Sequence, residues 1–407
     1  MATAPQAPTW ISRLDFTEGL GTLCPVRLGK IMVFGDSVDE TSDFTLARLN
    51  SDGSLDTSFG NQGVIEDTFS FGEDTIFFAL SAYQQATDGK VVLAGVLFAD
   101  DIYAAMARFD ENGHPDDSFA SNGKLVLEQL SSKGRSRSSG AESPQELRTS
   151  SDAGLNAIPL PQGGYLLASA DTGYLIRLLP DGALDPAFAE TGYLLPKPVE
   201  NFELTGAILL DDKIIVAGDA GNSGCVARYT LTGELDITFA EQGSRLITYP
   251  GASRVRLMTV STAIPRVFTV AGLATRDNHN SSLLARLSAA GDVLPDFPVL
   301  LAPGGRQGDF RYVTSRLIPQ IEERIHAVGQ TTKQGGADPR YFTAAYRANG
   351  ELDKGFADNG WSLGPVAASA YGMYLIPGNL LIGGRIRKFD GSGHEGLVAG
   401  YSLNTKD

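Results

Sequence analysis

Residues 47–60 read Ala-Arg-Leu-Asn-Ser-Asp-Gly-Ser-Leu-Asp-Thr-Ser-Phe-Gly, and variants of this phrase return five more times along the chain. Its glycine stands at Gly53, Gly113, Gly182, Gly233, Gly291 and Gly350, with gaps of 60, 69, 51, 58 and 59 residues. A period of this size marks one supersecondary unit copied around an axis or along a stack, because a single unit cannot bury its own apolar face. The repeat overrides the two or three domains that 407 residues would otherwise suggest.

Residues 74–130 show what one copy builds. The apolar, aromatic run Ile76–Tyr83 is short for a helix, and Thr87-Asp88-Gly89 supplies a turn. Lys90–Gly95 reads as a β-branched strand and Tyr103–Phe109 as another. Asp110-Glu111-Asn112-Gly113 closes a hairpin in which glycine takes φ > 0 without steric cost. Gly123–Leu127 makes a fourth strand. Four short strands with a glycine-marked turn signal an all-β array.

The second strand of the unit has its own signature, at residues 29–35, 89–95, 163–168, 212–218, 266–272, 324–329 and 379–384. The copies therefore number seven, although the long phrase occurs six times. Near-continuous apolar strands of this kind are covered on both faces. In the last copy the third strand, Leu397–Ser402, is not followed by the phrase, while Trp10–Leu14 precedes the first copy. These features predict one domain over 1–407, a seven-bladed β-propeller of four-stranded antiparallel blades. Residues 9–19 would supply the outer strand of the closing blade and 366–403 its inner strands. Closure of this kind shelters strand edges. An open solenoid would instead need distinct capping units.

The combination of Asp-Gly-Lys-Ile/Val-aliphatic-Ala-Gly, then Ala-Arg-Leu, then Asp-Gly-Ser-Leu-Asp-x-Ser-Phe-Gly resembles the bacterial delta-60 repeat family of β-propeller repeats. Residues 28–64 and 89–125 carry it almost letter for letter. The resemblance implies the propeller fold and implies no reaction, cofactor or catalytic residue. Later copies decay: Ala345 and Gly400 stand where five others have Arg, and residues 291–298 read Gly-Asp-Val-Leu-Pro-Asp-Phe-Pro. The phrase also resembles the Asp-box of sialidase-type propellers. Phe stands where that pattern has Trp, and no arginine triad with a Tyr–Glu pair can be assembled from the spacing.

The net charge of −15 is unevenly placed: residues 1–200 carry 13 Lys+Arg against 28 Asp+Glu, and residues 201–407 carry 20 against 20. An acidic chain argues against nucleic-acid partners, and no run approaches the ~18 apolar residues of a membrane span. The N-terminus lacks a basic region followed by an apolar stretch, so a cytoplasmic protein is expected, with signal-independent export left open. Cys24 and Cys225 have neither metal nor redox spacing and are expected to pack as small hydrophobes.

Arg48, Arg108, Arg177, Arg228 and Arg286, with Asp56, Asp185, Asp236 and Asp353, form a recurrent constellation. They would make either a ring of ligand pockets or, better, charge-assisted bonds that lock each turn, with the phrase's Phe plugging the gap between blades. The departures from the repeat are expected to carry function. Arg256, Arg276, Arg311, Tyr312, Arg385 and Arg387 are the candidate ligand-binding residues, in inner strands and in loops between second and third strands. Acidic residues Asp36, Asp39, Glu40, Asp43, Asp100 and Asp101 fill the corresponding loops of blades one and two. A positive sector opposite a negative one would focus an anionic or dipolar ligand.

No phosphate loop, nucleophile elbow or metal-ligand spacing is present, so no catalytic residue, metal or cofactor is expected. The expected function is a non-catalytic binding or scaffold propeller whose partner is a protein or a small anionic ligand. The alternative is a hydrolase or lyase acting on a carbohydrate or anionic substrate in the axial pocket, with Tyr312, Arg311, Arg256 and Tyr371 as the first groups to test. The Ser/Gly-rich insertion 131–151 reads as a flexible loop between blades two and three, a disordered connector or, alternatively, a lid or partner-docking segment.

Overall fold

The Gly-flanked apolar runs of the sequence are strands covered on both sides: every side chain of Val91–Phe98 and of its neighbour Ile102–Phe109 is buried. The computed structural model describes residues 8–37, 42–71, 75–131, 155–301, 306–317, 323–333, 338–357, 359–376 and 378–403. Nearly all of the insertion 131–151 lies outside them, as do Asp39 and Glu40, and side chains at 263 and 312–317 are not described. Among the described residues the structure is strand, turn and two short 3-10 turns, with no helix long and apolar enough to cross a membrane.

The strands group as the repeat does. The first antiparallel sheet runs Thr17–Val26, Lys30–Ser37, Phe44–Leu49, Val64–Asp67, and the second Ile76–Gln84, Val91–Phe98, Ile102–Phe109, Lys124–Val126. The third holds Leu155–Pro159, Tyr165–Ser169, Leu175–Leu178, Tyr193–Leu194, and the fourth Phe202–Leu210, Lys213–Ala220, Ser223–Thr230, Ser244–Ile247. The fifth is Arg254–Ile264, Val267–Arg276, His279–Ser288, Val299–Leu301. Gln307–Leu317, Glu323–Thr332, Arg340–Arg347 and Trp361–Leu363 form a sixth group. A single parallel bridge, Arg340 with Ala368, joins this group to strand Ala368–Ile376.

Two compact units divide the chain. One, Trp10–Leu195 with Leu381–Ala399, holds the first three sheets. Strand Trp10–Leu14 lies there beside His394–Ser402, which lies beside Asn379–Arg387. Strand Trp10–Leu14 is shorter than the span 9–19 expected from the sequence: the chain turns at Asp15-Phe16, and residues 17–19 already belong to the first sheet. The other unit, Pro196–Leu380 with Met1–Thr9 and Gly400–Asp407, holds the fourth to sixth sheets.

Within each unit the core lies between successive sheets. Phe119 of the second sheet is buried with Tyr165, Leu167 and Ile176 of the third, and meets Tyr165 edge-on at 5.8 Å. Phe239 of the fourth is buried with Leu257, Phe268 and Leu283 of the fifth. Burying such a ring contributes on the order of 2–3 kcal/mol, so the phrase's Phe is a main source of cohesion between sheets.

Candidate functional site

The two ends of each sheet differ in chemistry. At one end lies the repeated phrase. The Asp56 N–H donates to the Arg48 carbonyl at 2.8 Å and the Phe59 N–H to the Asp56 carbonyl at 3.0 Å, which folds the phrase back on its own strand. The same pair recurs at Asp116 and Phe119, Asp185 and Phe188, Asp236 and Phe239, and Asp353 and Phe356. Asp56 accepts from Ser58 Oγ at 2.7 Å and from Arg48 Nε at 2.7 Å, with Lys30 Nζ at 3.2 Å. The Ser58 hydroxyl, and then Arg48 and Lys30, hold the Asp56 carboxyl well below the usual carboxylate range against the upward push of burial. Asp236 is lowered to about 2, first by the Thr238 hydroxyl and then by Arg228.

The arginine also reaches the next sheet. Arg48 Nη1 donates to the Glu111 carbonyl at 2.9 Å, Arg108 Nη1 to Pro180 at 2.7 Å, and Arg228 Nη1 to Ala289 at 2.7 Å. Each acceptor stands two residues before the turn glycine of the following copy. Beneath the guanidinium lies the Phe ring, at 4.8 Å for Arg48 over Phe59 and for Arg108 over Phe119. Gly113 closes the contact, since a side chain there would meet the Phe59 ring. At the N-terminal strand, Trp10 occupies the corresponding place against Gly53, whose carbonyl accepts from Ser12 Oγ at 2.7 Å.

Where the phrase decays, other residues supply the bonds. Arg286 has Leu294 at the aspartate position, and its Nη2 pairs instead with Glu323 of the next sheet, both side chains being buried. Its Nη1 still donates to the carbonyl before the next turn, Ala348, at 3.1 Å. Ala345 stands where Arg is found elsewhere, and Arg324 reaches Asp353 at 2.5 Å from the adjacent strand. Arg324 occupies the strand position of Lys30, Lys90 and Lys213, so a cation beside the aspartate persists. Sequence reading passed over Asp116, which pairs with Arg108 at 2.5 Å and Lys90 at 2.7 Å. It also passed over Arg324 and Glu323. The eight-residue spacing was sufficient to find Asp116, whereas Arg324 and Glu323 become visible only once strand register is known.

At the opposite end, among the described residues, the inner strand carries a β-bulge in five sheets. The register shifts around Gly21, Leu80, Thr205, Met258 and Arg311. Facing each bulge is the glycine that ends the second-strand signature. At Gly95 a β-carbon would collide with the Phe78 carbonyl, and at Gly329 with the Asp309 carbonyl. Bulges re-aim side chains and are enriched beside functional sites, and among these five described bulges the sixth sheet's is the one that carries a charged residue, Arg311.

Arg311 Nε meets Asp309 Oδ1 at 3.2 Å, and Gln330 N–H donates to the same oxygen at 3.1 Å. Arg256 Nε donates to Asp219 Oδ2 at 2.7 Å, while Leu257 N–H donates to Oδ1 at 2.9 Å. Burial pushes the Asp219 carboxyl up despite the pull of Arg256. Asp219 and Asp309 are further groups that sequence reading missed. Asp219 was signalled by its place directly after the second-strand glycine, shared with Asp36.

The other candidates lie as follows. Tyr312 pairs its backbone with Val328. Arg276 ends its strand opposite His279 and is exposed. Arg385 and Arg387 sit near His394, whose pKa is lowered first by burial and then by these two cations. Tyr371 is buried. His326 packs edge-on against Phe356 at 5.6 Å. Cys24 and Cys225 are buried free thiols, and burial pushes Cys225 up to about 12. Among the described residues no three His, Cys, Asp or Glu side chains gather in a way that suits a metal ion.

Residues 29–59, 163–188 and 210–239 match a family described as a domain of unknown function (DUF5122) beta-propeller. These stretches fall in the first, third and fourth sheets, and none lies where the phrase has decayed. No curated protein sequence matches the chain. Among solved structures it is similar to virginiamycin B lyase from Staphylococcus aureus, at 10% identity and a TM-score of 0.51, over 96% of this chain and 98% of that one. It is also similar to the Vanderwaltozyma polyspora Nup133 β-propeller domain, at 9% identity and a TM-score of 0.43 over 96% and 97% of the two chains. A Trypanosoma rangeli sialidase in complex with sialic acid gives 11% identity and a TM-score of 0.44 over 99% and 57%. The family match and the lyase structure, with the stacked four-stranded sheets, identify a β-propeller fold. One fold hosts many chemistries, so the likeness carries no activity with it.

Proposed function

We propose that the chain is a seven-bladed propeller of the delta-60 type, closed by strand Trp10–Leu14, that serves as a binding module rather than an enzyme. Its ligand is a small anionic molecule or an anionic group on a protein, taken at the bulge end of the sheets by Arg256 and Arg311. The observation that carries this reading is the contrast between the two ends. The repeated Arg and Asp groups are engaged with each other and with the next turn's carbonyl, whereas Arg256 and Arg311 break the repeat within the inner strands, beside or on a bulge. The carboxylates beside them, Asp219 and Asp309, each accept a backbone N–H and an arginine. That bonding suits fixed positioning of charge better than proton transfer.

The test is isothermal titration of the full chain with succinate, glucose 6-phosphate and a sialylated oligosaccharide, on wild type, Arg256→Ala, Arg311→Ala and Arg48→Ala. The proposal expects saturable binding of an anion, weakened about tenfold or more by loss of Arg256 or Arg311, the range for a charge-assisted bond, and kept in Arg48→Ala. Conversion of a bound compound to product, followed by mass spectrometry, would instead establish an enzyme. No binding, or binding lost with Arg48 alone, would contradict the assignment.

A further inference from the structure

We propose that Arg306, Lys333 and Arg340 form a second anion site, suited to the tetrahedral dianionic group of a phosphate or sulfate ester. It lies at the loop end of the sixth sheet and does not depend on the role given to Arg256 and Arg311. Three strand ends meet there. Gln307 pairs with Thr332 and Arg340 with Thr331, so Arg306, Lys333 and Arg340 flank one another at the sheet margin. All three converge on Asp338: Arg306 Nη1 at 3.1 Å from Oδ2, Lys333 Nζ at 3.3 Å from Oδ2, and Arg340 Nε at 2.8 Å from Oδ1. Arg306 Nη2 also donates to the Asp338 carbonyl.

One carboxylate does not balance three cations. Among the described residues, Asp338 is the sole acid paired with any of them, which leaves a local charge of about +2 by count. A structural staple of this turn needs a single arginine, and the two added like charges oppose one another. Arg306 is more than nine-tenths buried, yet among the described residues its Nε has no hydrogen-bond partner. Leaving a buried charged donor unsatisfied is costly, and an incoming oxyanion would remove that cost. Lys333 is well exposed at 63% and Arg340 partly so at 26%, which gives solvent access to the cluster. The backbone at Asp338 adopts a left-handed φ of 53°, uncommon for a residue other than glycine, and turns both its carboxylate and its carbonyl to Arg306. A dianion bound here would be held by Lys333 and Arg340 and would accept from the Arg306 Nε–H as its third donor.

The experiment titrates the full chain with inorganic phosphate and, separately, with sulfate, at ionic strength held constant with chloride, by calorimetry and thermal melting. Saturable binding of either anion is expected, with a rise in melting temperature, and the tighter anion names the ester class. Lys333→Ala and Arg340→Ala should each weaken binding roughly three- to tenfold, as for loss of a half-exposed cation. Both sites are open enough to solvent for the variants to fold, and Lys354→Ala, an exposed cation elsewhere in the same unit, should leave binding unchanged. Phosphate and sulfate that act no differently from chloride, or binding undiminished in the Lys333→Ala/Arg340→Ala double variant, would overturn the proposal.

Discussion

The first two sheets and the fifth and sixth build the same contacts from different letters. In the former, Arg48 and Arg108 pair with the aspartate eight residues on, share it with Lys30 and Lys90, and donate to the next turn. In the latter the aspartate is lost after Arg286 and the arginine is lost before Asp353. Glu323 and Arg324, neighbours on one strand, replace them. A ligand pocket would not survive such an exchange, since the charges sit on different strands and face different partners. A clamp between sheets does survive, because it requires only that a cation find a carboxylate and the next carbonyl. The bulge end behaves in the opposite way: its backbone is held constant while its side chains vary, from Gly21 to Leu80, Thr205, Met258 and Arg311.

That comparison can be broken most forcefully by removing a wedge. Phe119→Ala should cost about 3–5 kcal/mol, the range for a buried ring, with a loss of melting temperature and no gain of flexibility at the bulge end by hydrogen exchange. On the bulge side, Gly95→Ala and Gly329→Ala should each cost about 2–3 kcal/mol, because the added carbon meets a backbone carbonyl that cannot move cheaply. Gly221→Ala meets no atom within 4 Å and should cost about 1 kcal/mol, from its backbone conformation alone. Denaturant unfolding separates these cases. If Gly329→Ala were as mild as Gly221→Ala, the bulge would not be the reason for the glycine.

Arg324→Met asks whether the exchanged clamp matters as much as the original. It should cost about 1–2 kcal/mol, since Asp353 loses its cation while still able to draw on water. Arg48→Met should cost the same within error, and a much smaller effect at Arg324 would separate the two regions. The least effect concerns pH. Asp236 is lowered to about 2 in the folded chain against about 3.9 unfolded, so its contribution is present above pH ~4 and is lost as pH falls toward 2. Asp236→Asn should flatten the acid limb of stability measured between pH 6 and 2, and an unchanged slope would remove this pair from the account.

Much of the fold could be read from the chain because its causes are local and repeated. The turn glycines, the apolar second strands and the Phe each recur at fixed spacing, so strand number and order follow from them. Exchange of partners between strands leaves no such trace: Arg286 gives no sign that Glu323, 37 residues on, is its partner until the sheets are packed. The bulges were illegible for a similar reason, as an extra residue in a short strand looks like any other. Among the candidate ligand residues, Arg256 and Arg311 were visible as departures from the repeat. Asp219 carried a signal in its place after the second-strand glycine, whereas Asp309, Arg306 and Asp338 carried none, because each acquires its meaning from a neighbour on another strand.

The clamp is tested most directly by a double-mutant cycle on Arg286 and Glu323, the buried pair that joins the fifth sheet to the sixth. Unfolding free energies of Arg286→Met, Glu323→Gln and the double variant would be compared with wild type. The account predicts that each single variant costs about 3 kcal/mol or more, because it leaves a buried charge unpaired. The double variant should cost less than their sum, with a coupling of about 1–3 kcal/mol. Additive costs would contradict it, and would mean that the decayed copies are not clamped across their sheets as the intact ones are.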